Sequence, residues 1–339
     1  MKLIRTQDAV GQVLCHDMTQ IIRDEYKDAR FCKGYIVTEE DIPVLLSMGK
    51  ENLYVWEMAP GVLHENDAAM RLLALCRNTG MRYGGVKEGK VELFAEQDGL
   101  FCVDSKRLLA VNSIDQLIIA TRHGNTAVHK GDKLAGMRVI PLIIAEEKLQ
   151  KAEQVVGSEP LLALRPFLRK KAAVITTGSE VKKGLIRDTF TPVIKEKLAA
   201  YGIKIVAQVN SGDGEENVAA AIAEMRAKAV DIILCTGGMS VDPDDNTPGG
   251  IRKAGAQIIS YGAPVLPGAM FLLGYFADSV PVLGLPGCVM YAKNTIFDLV
   301  LPRIVADIPV SRQDFVQMGE GGLCLGCSTC TFPNCGFGK

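Results

Sequence analysis

Three apolar runs in the second half of the chain each end at glycine, and stretches of helical period separate them. Ala173-Val174-Ile175 runs into Thr176-Thr177-Gly178-Ser179-Glu180, and Asp231-Ile232-Ile233-Leu234-Cys235 into Thr236-Gly237-Gly238-Met239-Ser240. Val280-Pro281-Val282-Leu283 runs into Gly284-Leu285-Pro286-Gly287-Cys288. The intervening residues predict a helix over 189–200, with Asp188 as N-cap and Gly202 at its end, and an alanine-rich helix over 216–229. Residues 203–209 and 230–235 read as strands. The order is β-α-β-α-β, which implies a parallel sheet with right-handed crossovers. An acidic loop over 241–247 then precedes a short helix over 248–254 and a hairpin of 257–259 with 264–266. A last main strand over 280–285 and a closing helix over 289–302 complete this part.

The first half is patterned differently. Residues 2–4, 9–14 and 54–55 read as short strands. Thr38 with Asp41 suits the start of a helix that Gly49 ends. Ala68, Ala69, Leu72, Leu73 and Leu75 mark a helix over 66–79. Residues 91–95 and 99–103 suit a hairpin around Gln97-Asp98-Gly99, and Pro141 demotes 140–144 to an edge strand. The charged stretch 146–153 reads as a helix leading to the sheet domain.

At 339 residues the chain is long for one domain. The pattern divides it into an α+β unit (1–58), a β-rich middle domain (59–165), an α/β domain (166–308) and a cysteine-rich metal-binding tail (309–339). Hydrophobic residues at 48% with 23% charged describe a globular protein with ample core. A net charge of −1 points away from nucleic acid and from membrane surfaces. The opening Met1-Lys2-Leu3-Ile4-Arg5 lacks a signal-peptide core, and no run approaches the roughly 18 apolar residues that span a bilayer. The expected location is the cytoplasm. Ten cysteines there argue for metal or redox chemistry where they cluster, not for a disulfide framework.

Glycine turns at the carboxyl ends of parallel strands let backbone amides approach a ligand, and helix N-termini nearby favour phosphate. The turns match neither the dinucleotide fingerprint nor the P-loop. Glu180, Asp188, Asp242, Asp244 and Asp245 stand beside them, as Mg2+ bound to a phosphate-bearing ligand requires. Asp244 and Asp245 would equally serve to cap the following helix. Cys324-x2-Cys327-x2-Cys330-x4-Cys335 has spacing suited to a 4Fe–4S cluster ahead of Zn2+. Elsewhere, Cys15-His16 reads as structural rather than as a ligand pair, and His64-Glu65-Asn66 lacks the second histidine of the zinc-protease pattern. Cys288 heads the expected closing helix, where a helix dipole would favour a thiolate, although a small buried residue is the simpler reading.

Residues 172–304 resemble the molybdopterin-binding domain shared by molybdenum-cofactor biosynthesis proteins. The motifs are TTGSE (176–180), TGGMSVDPDD (236–245), LPGAM (266–270) and GLPG (284–287). The likeness reads best against molybdopterin molybdotransferase, which inserts molybdate into adenylylated molybdopterin. It implies a three-layer α/β/α fold with a mainly parallel sheet. Acidic catalytic roles fall on Glu180 and Asp245, and Mg2+ on Asp245 with Asp242. Ligand contacts fall on Thr177, Gly178, Ser179, Asp188, Thr236, Gly237, Gly238, Ser240, Pro267, Gly268, Pro286 and Gly287. A homo-oligomer is implied as well.

Three positions depart from the family pattern. Asp242 stands where a glycine is expected, Ala269-Met270 replaces a lysine-proline pair, and Cys288-Val289 replaces asparagine-proline. The lost lysine removes a positive charge that would partner phosphate or molybdate. Pterin binding therefore carries over better than catalysis. The alternative to a transferase is a carrier or sensor of molybdopterin or the molybdenum cofactor that delivers to a molybdoenzyme. An electron-transfer module is a third reading, and it requires a redox-active cluster in the tail.

Overall fold

A computed structural model describes residues 1–22, 26–56, 60–178, 188–240 and 245–339. The chain forms two compact units, one within residues 1–164 and one made chiefly of 165–339. Among the described residues no helix is long and apolar enough to cross a membrane.

The second unit is built on a six-stranded sheet. Its elements are β1 (Lys171–Thr177), α1 (Phe190–Ala199), β2 (Lys204–Ser211), α2 (Glu215–Arg226), β3 (Ile232–Thr236) and α3 (Thr247–Lys253). They continue with β4 (Gln257–Tyr261), β5 (Leu272–Tyr275), β6 (Pro281–Leu285), α4 (Ile296–Val305) and α5 (Arg312–Gln317). The strand order is β2-β1-β3-β6-β5-β4. The first four strands run parallel, and β5 is antiparallel to both of its neighbours.

The apolar runs β1, β3 and β6 are buried because helices cover both faces of the sheet. Alternate residues point to opposite layers. Ala172, Val174, Ile232, Leu234, Leu283 and Leu285 pack with Ile194 and Leu198 of α1, Phe297 and Leu301 of α4, and Phe315 of α5. Ala173, Ile175, Ile233, Cys235 and Val282 pack with Val218, Ile222 and Met225 of α2 and Ile251 of α3. The result is a three-layer α/β/α sandwich, as the resemblance implies.

Two predicted elements differ in extent and partner. The hairpin of β4 is made with β5, not with 264–266. Instead Leu266 forms a parallel bridge with Leu323, so the tail supplies the partner that those residues lack locally. The closing helix does not begin at 289. Residues Gly287–Met290 form one 3-10 turn, and α4 starts at Ile296, where Thr295 and Asp298 complete a capping box.

In the first unit, Lys2–Arg5 pairs with Asn52–Val55 and Met18–Ile22 with Tyr26–Phe31. The helix Asp41–Ser47 starts at Asp41, whose carboxylate accepts from the amide and hydroxyl of Thr38. A four-stranded antiparallel sheet orders Met81–Tyr83, Lys90–Ala95, Lys133–Val139 and Leu117–Thr121, and the helix Glu65–Cys76 packs against it. Lys90–Ala95 pairs with Lys133–Val139 and not, as a hairpin would require, with Gly99–Val103, which belongs to a separate sheet. Pro141 precedes the strand Ile143–Ala145.

Phe297 is fully buried in the sheet's main core. Phe297→Ala should cost about 3–5 kcal/mol through lost burial and the cavity left. Thr295→Ala, which removes only a helix cap, should cost about 1 kcal/mol. Urea unfolding of the two variants reads this difference; equal losses would mean that α4 is not part of the cooperative core.

Candidate functional site

The chain moves from β1 outward to β2 and then back across to β3, so the strand order reverses between β1 and β3. The connections leaving two such neighbours go to opposite faces of the sheet, and a crevice opens outside their carboxyl ends. Both strands end there in threonine followed by glycine, at Thr177-Gly178 and Thr236-Gly237-Gly238.

Hydroxyl groups hold the two turns together. Buried Thr177 donates its Oγ1 to the Thr236 carbonyl at 3.0 Å and lies 3.2 Å from the Thr247 hydroxyl. Thr247, the first residue of α3, donates to the Gly237 carbonyl at 2.9 Å. Gly237 and Gly238 have φ of +82° and +58°. A Cβ on Gly237 would lie 2.6 Å from the Thr177 carbonyl oxygen, and one on Gly238 2.6 Å from the Thr247 hydroxyl. Only glycine satisfies both the backbone conformation and the close approach. Thr236 itself is fully buried, and its Oγ1 has no hydrogen-bond partner among the described residues. Leaving such a hydroxyl unpaired is costly, so it marks a place where a polar group is wanted.

The rest of the second turn is held from outside. Asp245 Oδ2 accepts from the Ser240 amide at 2.7 Å, and Tyr261 on β4 donates its hydroxyl to the Met239 carbonyl at 3.1 Å. Burial, and next the charge of Asp245, push the Tyr261 hydroxyl pKa up. Met239 is buried over Gly284 of β6, where a Cβ would lie 2.5 Å from its sulfur. Met239, Thr247 and Tyr261 are site-shaping residues that the sequence reading missed. Thr247 carried a legible signal, a threonine opening a helix; Tyr261 on an edge strand carried none.

Asp188 caps α1. Its Oδ1 accepts from the amides of Phe190 and Thr191 at 2.9 and 3.1 Å, and its Oδ2 from the Thr191 hydroxyl at 2.6 Å. Oδ2 also accepts from Gln208 at 3.1 Å and from the Thr176 hydroxyl at 3.3 Å. Burial pushes this carboxyl up, but the donors, Thr191 foremost, outweigh it and hold the pKa below the ordinary aspartate value. Ser179, Glu180, Asp242 and Asp244 lie outside the described residues.

The other predicted ligand residues form a second part of the same edge. The Pro267 carbonyl accepts from the Ile296 amide at 3.2 Å, and Gly268 rests against the Ile296 side chain. Pro286 is buried and Gly287 exposed. Cys288 lies in the 3-10 turn rather than at the start of α4, and burial raises its pKa; the helix-dipole argument for a thiolate therefore fails.

Cys324, Cys327, Cys330 and Cys335 share one loop. The Leu266 amide donates to Gly322 and the Cys324 amide to Leu266, both at 2.8 Å. Asn294 donates to the Cys330 sulfur at 3.0 Å. Among the described residues no three His, Cys, Asp or Glu side chains converge as a metal site. In the first unit, Cys15 is buried, and His64 accepts the Asn66 amide as the cap of its helix.

Residues 173–306 match the family described as Probable molybdopterin binding domain, and residues 3–57 match a Domain of unknown function. A CinA-like protein of Desulfosudis oleivorans is 37% identical over 83 residues, which are 24% of this chain and 20% of that protein. The chain spans about a fifth of the length of the curated relatives it matches first. The molybdopterin biosynthesis enzyme MoaB of Thermus thermophilus aligns with 41% of this chain and 98% of its own, at 21% identity and a TM-score of 0.36. The tungsten cofactor synthesizing protein MoaB of Pyrococcus furiosus aligns with 41% of this chain and 94% of its own, at 22% identity and a TM-score of 0.34.

Gly237→Ala should leave the sheet folded but less stable by about 1–3 kcal/mol, because a side chain there is strained and meets Thr177. Chemical unfolding measures this, and an unchanged midpoint would refute the packing of the turn. For Asp188 the folded pKa is the lower one, so its stabilisation is complete above the unfolded value of about 3.9 and fades as pH falls through the folded value. Asp188→Asn should therefore flatten the loss of stability on acidification below about pH 4.5, as followed by urea unfolding across pH. A slope equal to that of the wild type would show that Asp188 is not bound as described.

Proposed function

With residues 173–306 a domain of the molybdopterin-binding family, we propose that the chain is a cytoplasmic protein of molybdenum-cofactor biosynthesis. It binds molybdopterin, or its adenylylated form, in the crevice between the β1 and β3 turns and acts at the molybdate-insertion step. The observation that carries this reading is the joint between the turns, where the hydroxyls of Thr177 and Thr247 bind the Thr236 and Gly237 carbonyls beside two glycines of positive φ, and the buried Thr236 hydroxyl has no partner among the described residues.

The residues present suit a phosphate-bearing pterin. Two adjacent glycines leave backbone bare for close approach, and the Thr236 hydroxyl can pair with a polar ligand atom. Asp245 spends one carboxylate oxygen on Ser240, and the other has no partner among the described residues. Asp245, with Asp242 of the same motif and Glu180 of the first-turn motif, would hold Mg2+, which neutralises charge on the ligand's phosphates. Thr177 and Thr247 keep the two turns in fixed spacing, and Tyr261 fixes the Met239 carbonyl. The work of the protein is then positioning and electrostatic preorganisation, with no covalent nucleophile required.

A carrier or sensor that hands the cofactor to a molybdoenzyme is the second reading. Ala269-Met270 favours it, since the segment after Gly268 supplies no cation to molybdate.

The test combines anaerobically purified protein, adenylylated molybdopterin, molybdate and Mg2+, and scores active cofactor by reconstituting a cofactor-free molybdoenzyme. The wild type should form cofactor, and Glu180→Ala and Asp245→Ala should each lose roughly 100-fold or more in rate. Tight pterin binding without turnover would replace the transferase by the carrier. No pterin binding would refute both.

A further inference from the structure

The strand β4 runs parallel to β6, so the connection from Tyr261 to Leu272 lies at the same carboxyl edge of the sheet as the glycine turns. Leu266, in the middle of that connection, is bridged to Leu323, and Ile296 at the start of α4 is tied to Pro267. The cysteine loop is thus built onto this edge by backbone hydrogen bonds.

The loop is closed and anchored. The Gly338 amide donates to the Gly321 carbonyl at 2.9 Å, which brings the two ends of the loop together. Phe337 is buried in the main core, and Phe332, Cys324 and Cys335 pack against it. Cys327 and Cys330 are exposed, and all four cysteines are free thiols. Between Gly321 and Lys339 there is no His, Asp or Glu, so every ligating side chain in the loop is a thiol. Only one residue of the loop, Leu323, takes part in a sheet bridge, and no helix forms there. The thiols do not converge as placed, but Cys327 and Cys330 lie exposed on a stretch without helix or strand, which can bring them toward Cys324 and Cys335 at the core.

We propose that Cys324, Cys327, Cys330 and Cys335 hold an iron–sulfur cluster at the carboxyl edge of the α/β domain, with the Asn294 side-chain amide donating to the cluster through the Cys330 sulfur. Three cysteines at x2 spacing and a fourth close behind suit such a cluster, and an all-sulfur ligand set suits iron–sulfur or zinc. Zinc sites ordinarily separate two cysteine pairs by a dozen or more residues, a spacing this loop lacks. The cluster stands independently of the pterin reading. Only its consequence for the crevice rests on that reading, because the segment it would stiffen, 266–268, borders the same edge.

The experiment reconstitutes the full chain anaerobically with ferrous iron and sulfide, and in parallel with zinc. Iron, acid-labile sulfide and zinc are then measured per chain, together with visible absorption and the electron paramagnetic resonance of the reduced protein. The expected result is about four irons and four sulfides per chain. Cys327→Ser and Cys330→Ser should fall below about a tenth of that content, whereas Cys32→Ser, at an exposed cysteine outside the loop, should match the wild type. Far-UV circular dichroism confirms that each variant is folded, and hydrogen exchange of the Leu266 and Ile296 amides should slow on loading. Zinc uptake in preference to iron would overturn the proposal, as would cluster content that survives the loop substitutions. Cluster assembly in a chain that binds no pterin would leave this inference standing and remove the functional reading.

Discussion

The hydroxyl of Thr177 lies where two neighbouring strands part, and it takes over from the backbone ladder that ends there. The last residues of β1 and β3 that pair with each other are Thr176 and Thr236; beyond them Thr177 keeps a strand partner only on its other side, Ser211 of β2. A side-chain donor reaching the Thr236 carbonyl, with Thr247 reaching back to Gly237, continues the pairing for one more residue in a different chemistry. Hydroxyls are small enough to be buried among glycines and lose little free energy when paired. Without that tie, the turns would separate as their connections leave for opposite faces of the sheet.

The two ends of the sheet treat polar groups differently. At the amino edge Arg169 donates to the carbonyls of Asp231 and Ser279 and to the Asp307 carboxylate. Asp231 in turn accepts the amides of Lys170 and Lys171. Apart from the Nε of Arg169, these groups are spent on one another. At the carboxyl edge, among the described residues, a threonine hydroxyl stays unpaired and one Asp245 carboxylate oxygen has no partner. Unpaired buried atoms occur at both edges, among them the Nε of Arg169 and of Arg303; what sets the carboxyl edge apart is that its unspent groups are a hydroxyl and a carboxylate oxygen beside bare glycine backbone.

Much of this was legible in the sequence because the relevant signals are local. Apolar runs ending in glycine located β1, β3 and β6, and helical period with caps located α1 and α2 to within a few residues. The order in which strands lie side by side is not a local property, so the reversal between β1 and β3 could not be read from spacing. The same limit explains the misplaced partner of β4: alternation in 264–266 was real, but the matching residue, Leu323, belongs to the tail. The onset of α4 was misjudged because glycine and proline at 286–287 looked like its start, while the stronger capping pair, Thr295 with Asp298, lay farther on. Tyr261 illustrates a residue beyond sequence reasoning altogether, since its role comes from a hydrogen bond to a turn formed by a distant strand.

The closure of the cysteine loop at Gly321 and Gly338 makes that loop a separable module. Its two ends already meet, so the entropy of bringing them together is set at the base and depends only weakly on what lies between. Doubling the length of such a loop adds only about 0.6 kcal/mol to the cost of closure. Insertions or exchanges among residues 325–331 should therefore be nearly silent for the stability of the sheet, provided that Phe337 keeps its place in the core.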